Sequence, residues 1–274
     1  MKARMFLWMM AAILICGASV FTSCSNDDNP VDPADNLAEK LIGKWMVSEV
    51  EGQPVTTNGK AVYTLVSPTK AYISASIYAH PTVGSYWGEK FEADVVFDGN
   101  KMTVTTKVDE HTTVVDVFII IKASNSKFTA DVESSVFVDG TEEIKVDRST
   151  SFTKVNRDYQ EQILGLWECK GLKGGETYND ANGRLEFFED GTYNYYRLND
   201  DGEWEAVTTR EFQEYFVDGV LVCTRWKDVD GDEQREWWEI KSLKGDKMQW
   251  TGLRENEDGT TFQQIMDWEE VEED

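Results

Sequence analysis

Apolar and polar residues alternate along much of the chain, as in Met102-Thr103-Val104-Thr105-Thr106-Lys107-Val108 and Phe128-Thr129-Ala130-Asp131-Val132-Glu133. A period of two predicts strands that bury one face. Asp-Gly pairs at 98–99, 139–140, 190–191, 218–219 and 258–259 separate these runs, and that dipeptide tolerates the positive backbone angles of tight hairpins. There are five prolines, and no long amphipathic helix is visible. The pattern also occurs twice. Leu41-Ile42-Gly43-Lys44-Trp45 returns as Ile163-Leu164-Gly165-Leu166-Trp167, each after a short helix-like lead. Phe97-Asp98-Gly99 answers Val217-Asp218-Gly219, Phe118 to Lys122 answers Trp237 to Lys241, and Asp139-Gly140-Thr141 answers Asp258-Gly259-Thr260. A nearly constant spacing of about 120 residues predicts two homologous units, 37–156 and 157–274. Each is expected to be an all-β meander of about eight antiparallel strands closing into an up-and-down barrel.

The N-terminal segment reads differently. Lys2 and Arg4 precede an apolar run from Leu7 to Val20, then Phe21-Thr22-Ser23-Cys24 and the polar Ser25-Asn26-Asp27-Asp28. A membrane-spanning helix wants about 20 apolar residues; this run is shorter and is broken by Gly17, Ser19, Thr22 and Ser23. The arrangement resembles a bacterial lipoprotein signal. That resemblance implies removal of residues 1–23, acylation of Cys24 with chains such as palmitate, and a tether over 24–36. More than one acyl chain gives stable anchoring. Asp27-Asp28 resembles the acidic export tag of outer-membrane lipoproteins in the Bacteroidetes, which implies display on the cell surface. The same stretch, rich in Asn, Asp and Pro, would also serve as a plain solvated tether.

Gly43-x-Trp45 and Gly165-x-Trp167, each at the start of a first strand after a short helical turn, resemble the lipocalin-like families of bacterial lipoproteins. The hairpin from Phe187 to Tyr193 and the runs 240–243 and 247–250 resemble them too. The resemblance implies tandem lipocalin-like (calycin-type) barrels, in which Gly43, Trp45, Gly165 and Trp167 have structural roles.

A formal charge of −24 argues against nucleic acid and anionic headgroups as partners, so membrane contact is expected through the N-terminal anchor alone. With Cys16 leaving and Cys24 acylated, Cys169 and Cys223 remain. They would pair only if their α-carbons came within about 7 Å, and two buried thiols are the other outcome.

No catalytic constellation emerges. His80 precedes Pro81, His111 lies in a turn, and neither has Cys or His at ligand spacing. Gly84-Ser85-Tyr86-Trp87-Gly88 puts its serine one place early for a nucleophile elbow. Gly171 to Gly175 lacks the Gly-Lys-Ser/Thr ending of a phosphate loop. Fifty-one acids make accidental carboxylate pairs inevitable, so no catalytic acid and no cofactor is assigned. Asp228, Asp230 and Asp232 fit the first positions of a calcium loop. Glu233, however, stands where a glycine is required, and the flanks read as strands, so a charged hairpin tip is favoured over a metal site.

Aromatic residues carry more information. Trp237 and Trp238 adjoin on a strand, so they must face opposite ways. One of them is a candidate exposed aromatic platform, or else covers a contact between the units. The function expected is non-enzymatic binding of a small hydrophobic or glycan-like ligand; the alternative is an interaction module with filled barrels. Modest side chains such as Thr103, Thr105, Ala123 and Ala130 suggest that a hollow unit would be the first, with the second filled by its rings.

Overall fold

The computed structural model describes residues 36–55, 60–80, 84–174, 183–208, 211–256 and 258–272. Cys24, its signal and its tether lie outside them, as do Pro81 and Gly175. A four-residue helix, α1 (Leu37–Lys40), leads into β1 (Gly43–Val50), β2 (Gln53–Pro54), β3 (Lys60–Ser67), β4 (Lys70–His80), β5 (Gly84–Asp98), β6 (Lys101–Lys107), β7 (Thr112–Ala123), β8 (Lys127–Val138) and β9 (Thr141–Val155). Each strand pairs antiparallel with the next, apart from the two-residue β2, which only flanks β1. β9 returns to pair with β1, which closes an eight-stranded barrel.

The second unit comprises β10 (Gly165–Lys173), β11 (Gly183–Phe187), β12 (Tyr193–Leu198), β13 (Trp204–Ala206), β14 (Glu211–Asp218), β15 (Leu221–Lys227), β16 (Glu233–Lys244), β17 (Lys247–Glu255) and β18 (Thr261–Glu270). β18 pairs with β10, but β13 and β14 remain the two edges of an open sheet. The second expected barrel is therefore a half-barrel. Its physical reason is local. In the first unit β4 and β5 form a long hairpin, paired from Lys70 opposite Asp94 to His80 opposite Gly84. In the second, β13 folds back onto the far half of β12, pairing Tyr196 with Ala206 and Leu198 with Trp204. That occupies the edge β14 would need. The Thr192–Glu214 bridge, the Tyr215 N–H to Gly191 carbonyl bond (2.8 Å), the Tyr215 hydroxyl donating to the Phe188 carbonyl (2.7 Å) and the edge-on contact of Phe187 with Tyr215 (4.7 Å) draw the seam together at one end.

Irregularities of the ladder repeat between units. The β1 ladder to β9 shifts between Val47 and Glu49, and the β10 ladder to β18 shifts between Cys169 and Gly171. The β7 shift between Ile120 and Lys122 likewise matches the β16 shift between Ile240 and Ser242. Bulges of this kind are fixed features of a fold, and they align Phe118 with Trp238 and Ile120 with Ile240. The sequence match of Phe118 to Trp237 is thus one residue out of register.

The closed barrel is filled near Trp45. Phe128 meets Trp45 edge-on with ring centres 5.0 Å apart and stacks on Phe152 at 4.4 Å. Trp45, Phe118, Phe128 and Phe152 are fully buried. Such packing is what makes aromatic cores dominate burial energetics.

The units also pack together, through their outer faces. Met46 and Val62 of the first unit cluster with Phe216, Leu221, Cys223 and Trp237 of the second, and Trp87 meets Phe216 edge-on at 5.0 Å. The hairpin tip Asp218-Gly219 presses into the base of the first barrel. A Cβ on Gly219, which sits at φ +68°, would lie 2.6 Å from Val155 Cγ1 and 3.0 Å from Lys44 Cδ. Lys44 bonds both Asp218 and Asp158, and Ser74 donates to Asp218 at 2.5 Å. Lys60, itself buried, donates to the Val47 carbonyl and to Glu239, each at 3.0 Å, with its ammonium 4.7 Å from the Trp237 ring centre. On the corresponding outer face of the second unit, the position of Met46 opposite Val62 is taken by Glu168 opposite Arg184, an ion pair that Lys170 joins.

Candidate functional site

Trp237 and Trp238 do face opposite ways, but both are buried, at 3% and 5% exposure, so neither is an exposed platform. Trp237 is covered by the first unit. Trp238 turns into the concave face of the half-barrel, where it joins Trp250 at 5.9 Å, which in turn meets Trp268 at 5.0 Å. A row of indoles therefore lines the inside of the open sheet.

These rings do not fill it. A cavity of about 420 Å³ runs across the concave face from β12 to β15, between walls that include Tyr193, Trp226, Trp238, Trp250 and Trp268. The unit expected to be plugged by its rings is the one with this space. Bulk alone does not fill a sheet that fails to close, because the missing ladder between β12 and β14 widens its mouth. The lining largely follows the pleat: residues 236 and 238, 250 and 254, and 262 to 268 in steps of two line the cavity, with exposed Glu255 joining out of phase at its rim.

Three polar features stand among the rings. First, Trp268 Nε1 is buried without a hydrogen-bond partner. An unmade bond of that kind costs about 1–3 kcal/mol. Second, Arg254 lies with its guanidinium 4.0 Å from the centre of the Trp238 ring, donating from Nη2 to the Trp237 carbonyl at 2.9 Å. It fits there because Gly252 is bare: a Cβ would come within 2.8 Å of Nη1. Burial lowers its pKa, partly offset by the charge of Glu236. Among the described residues no carboxylate forms an ion pair with Arg254. Third, Thr224, Glu236, Glu255 and Gln264 supply further polar groups to the walls.

Other residues singled out in the sequence fall elsewhere. Gly43, Trp45, Gly165 and Trp167 form the closed ends: the Trp45 indole donates to the Leu41 carbonyl at 2.7 Å and Trp167 to that of Ile163 at 2.8 Å. Asp228, Asp230 and Asp232 form the β15–β16 hairpin tip. The carboxylate of Asp228 accepts the backbone N–H groups of Asp230 and Asp232, each at 3.0 Å, and the Gln234 amide at 2.8 Å, so its oxygens are spent on the turn. Among the described residues no group of three His, Cys, Asp or Glu side chains is arranged to hold a metal. Cys169 and Cys223 are buried thiols not joined in a disulfide, on opposite faces of the second sheet, one in its interior cluster and one at the contact between units. His111 pairs through Nδ1 with Asp139 at 2.8 Å in the open; that hydrogen bond and charge raise its pKa. The His80 side chain lies outside what is described.

Sequence reasoning missed Arg254 and a buried carboxyl in the first barrel. Asp116 accepts the Tyr63 hydroxyl at 3.0 Å and the Ser134 hydroxyl at 2.6 Å. Burial raises its pKa despite those bonds, and burial beside Asp116 raises that of Tyr63 well above 10.0. Both residues had a signal, a polar residue on the inward phase: Val114, Asp116, Phe118 and Trp250, Gly252, Arg254. No protein-family model matches the chain, and no curated protein matches it.

Proposed function

We propose that the chain is a non-enzymatic, lipid-anchored binding protein of the bacterial outer membrane that faces the cell surface, and that its second unit takes a small ligand. The observation that carries binding is the indole-lined cavity of about 420 Å³, which has the size and mixed lining of small-molecule sites. The packed first barrel acts as the stand against which the half-barrel is held. Anchoring rests on the Cys24 segment and on the acidic residues behind it. The reading needs no cofactor and no nucleic acid.

Saturation-transfer NMR of the full chain in lipid nanodiscs, against a panel of soluble sugars and small amphiphiles, tests the binding. At least one saturable ligand is expected, and it should be lost in Trp238→Ala. A panel without any saturable member would favour the second reading, an interaction module. That reading draws on the outer face of the first barrel, where Val96 and Ile121 stand 63% and 58% exposed. Labelled palmitate should enter the wild-type chain and not Cys24→Ser; incorporation into neither would remove the anchor.

A further inference from the structure

The exposed apolar residues of the first unit gather at one end of it. Among the described residues six large ones are exposed there, and five of them, Val66, Tyr72, Val96, Ile119 and Ile121, lie within a few residues of the β3–β4, β5–β6 and β7–β8 turns. Their neighbours Leu65, Ala71, Val95, Phe118 and Ile120 are buried in the barrel core, so these five point outward. The ladder puts those turns at the Trp45 end, since Gly43 lies opposite Leu65 and Lys44 opposite Val155. The residues adjoin: Val96 pairs with Thr103, Thr103 with half-buried Val117, and Ile119 and Ile121 continue along β7. A barrel needs to bury only one face of its strands, so a continuous apolar patch on the other marks a contact.

Charge and chain entry select what covers it. The charge of −24 is a sum over the chain and is unevenly spread on this barrel. At the closed end Lys40, Lys101 and Lys122 are exposed and Lys154 is half-buried over the Trp45 ring, against exposed Glu39 and Asp98; Lys70 and Lys127 are paired with Asp94 and Glu49. The opposite end exposes Asp109, Glu110, Asp139, Glu142 and Glu143 against Lys107 and His111. An anionic surface is therefore met by the first end and repelled by the second. The described chain also enters at the closed end, where Leu37 of α1 joins the core beside Trp45. Eleven residues separate Asn36 from Cys24, a span of at most about 40 Å.

We propose that the closed end of the first barrel rests on the lipid surface, with Val66, Val96 and Ile121 in the headgroup layer and Lys101 and Lys122 extended to anionic headgroups. This rests on the anchored reading above and gives the membrane a second contact besides the acyl chains. The acidic turns then point away from the bilayer.

Bimane on Asn125→Cys, in the β7–β8 turn, and on Thr141→Cys, at the start of β9, reports depth for the full chain in phosphatidylcholine nanodiscs carrying a headgroup nitroxide lipid. The reporter at 125 should be quenched, because interfacial apolar side chains sit about 5–10 Å into the headgroup boundary, and the reporter at 141 should not. Quenching at 125 should increase with added phosphatidylglycerol and fall back in high salt. Val96→Asp together with Ile121→Asp should bring the reporter at 125 to the level of 141. Both positions are exposed, and an unchanged near-ultraviolet circular dichroism spectrum shows that the fold persists. Equal quenching at 125 and 141 in an acylated chain, or quenching at 125 that survives both aspartates, would overturn the seating and leave the patch to a protein partner. Indifference to phosphatidylglycerol would overturn the part given to the lysines. An acylated chain unquenched at 125 removes this inference alone; a chain that takes up no palmitate removes the anchor and this inference with it.

Discussion

Gly43 and Gly165 begin the first strand of their units at φ +128° and +105°, angles that side chains with a Cβ rarely adopt. Two residues on, the indoles of Trp45 and Trp167 fold back to the carbonyl that closes the preceding turn. The motif is thus a joint: glycine permits the corner and tryptophan ties it to the lead segment. Gly165→Ala should therefore cost about 1–3 kcal/mol through backbone strain, read as a lower urea midpoint. The residue pattern in the sequence revealed the joint, because a glycine and a large ring recur at the same spacing. It did not reveal what the ring bonds to, which depends on a carbonyl left over by a single helical turn. Nor did it give weight to Asp116 or Arg254, since one polar residue in an inward phase resembles an ordinary interruption of the alternation until its neighbours are known.

At the scale of strands, turn chemistry was legible and closure was not. The Asp-Gly pairs at 98–99, 139–140, 218–219 and 258–259 join consecutive strands as expected, and the bulges recur with them. Whether the second sheet closes is decided by β13, three residues whose choice of partner leaves little trace in composition. The same event made the ring-rich unit hollow at its mouth, which side-chain volume alone had argued against. A direct consequence concerns local stability. Amides of β13 and of Tyr196 to Leu198 lie on a short edge hairpin, whereas β8 is paired on both sides. Hydrogen exchange should show β13 opening at least about tenfold more readily than β8, as expected for edges with few buried contacts. Comparable protection in the two would mean the seam is sealed in solution.

Across the whole molecule, the contact between units combines a buried ring with ion pairs, and each part has a test. Trp237→Ala removes a 3% exposed indole and the ring beneath Lys60, which should cost about 3–5 kcal/mol and separate a single unfolding transition into two. Acid acts on the same surface. Burial would raise the pKa of Glu239, but Lys60 and Lys241 outweigh it and hold the carboxyl below its ordinary 4.5; Lys44 likewise holds Asp158 below 3.8. Their contribution is complete above those ordinary values and is lost as pH falls through the lower folded ones. Asp116, raised by burial, works the other way, since its neutral form is favoured in the fold. The melting temperature should fall on acidification below about pH 4.5, and Glu239→Gln should lower it at neutral pH while flattening that decline. A pH profile unchanged by the substitution would remove Glu239 from the account.

The replacement of Met46 and Val62 by Glu168 and Arg184 makes this face of the second unit unlike that of the first. A head-to-tail contact between like modules has a free donor face at one end and a free acceptor face at the other, and would add further copies without limit if both stayed sticky. In this chain the acceptor face of the second unit carries the Glu168–Arg184 ion pair, which opposes head-to-tail addition of another molecule. Giving the second unit the apolar pair of the first with Glu168→Met and Arg184→Val should make sedimentation concentration-dependent, and a double variant that stays monomeric would show that polymer growth is blocked elsewhere.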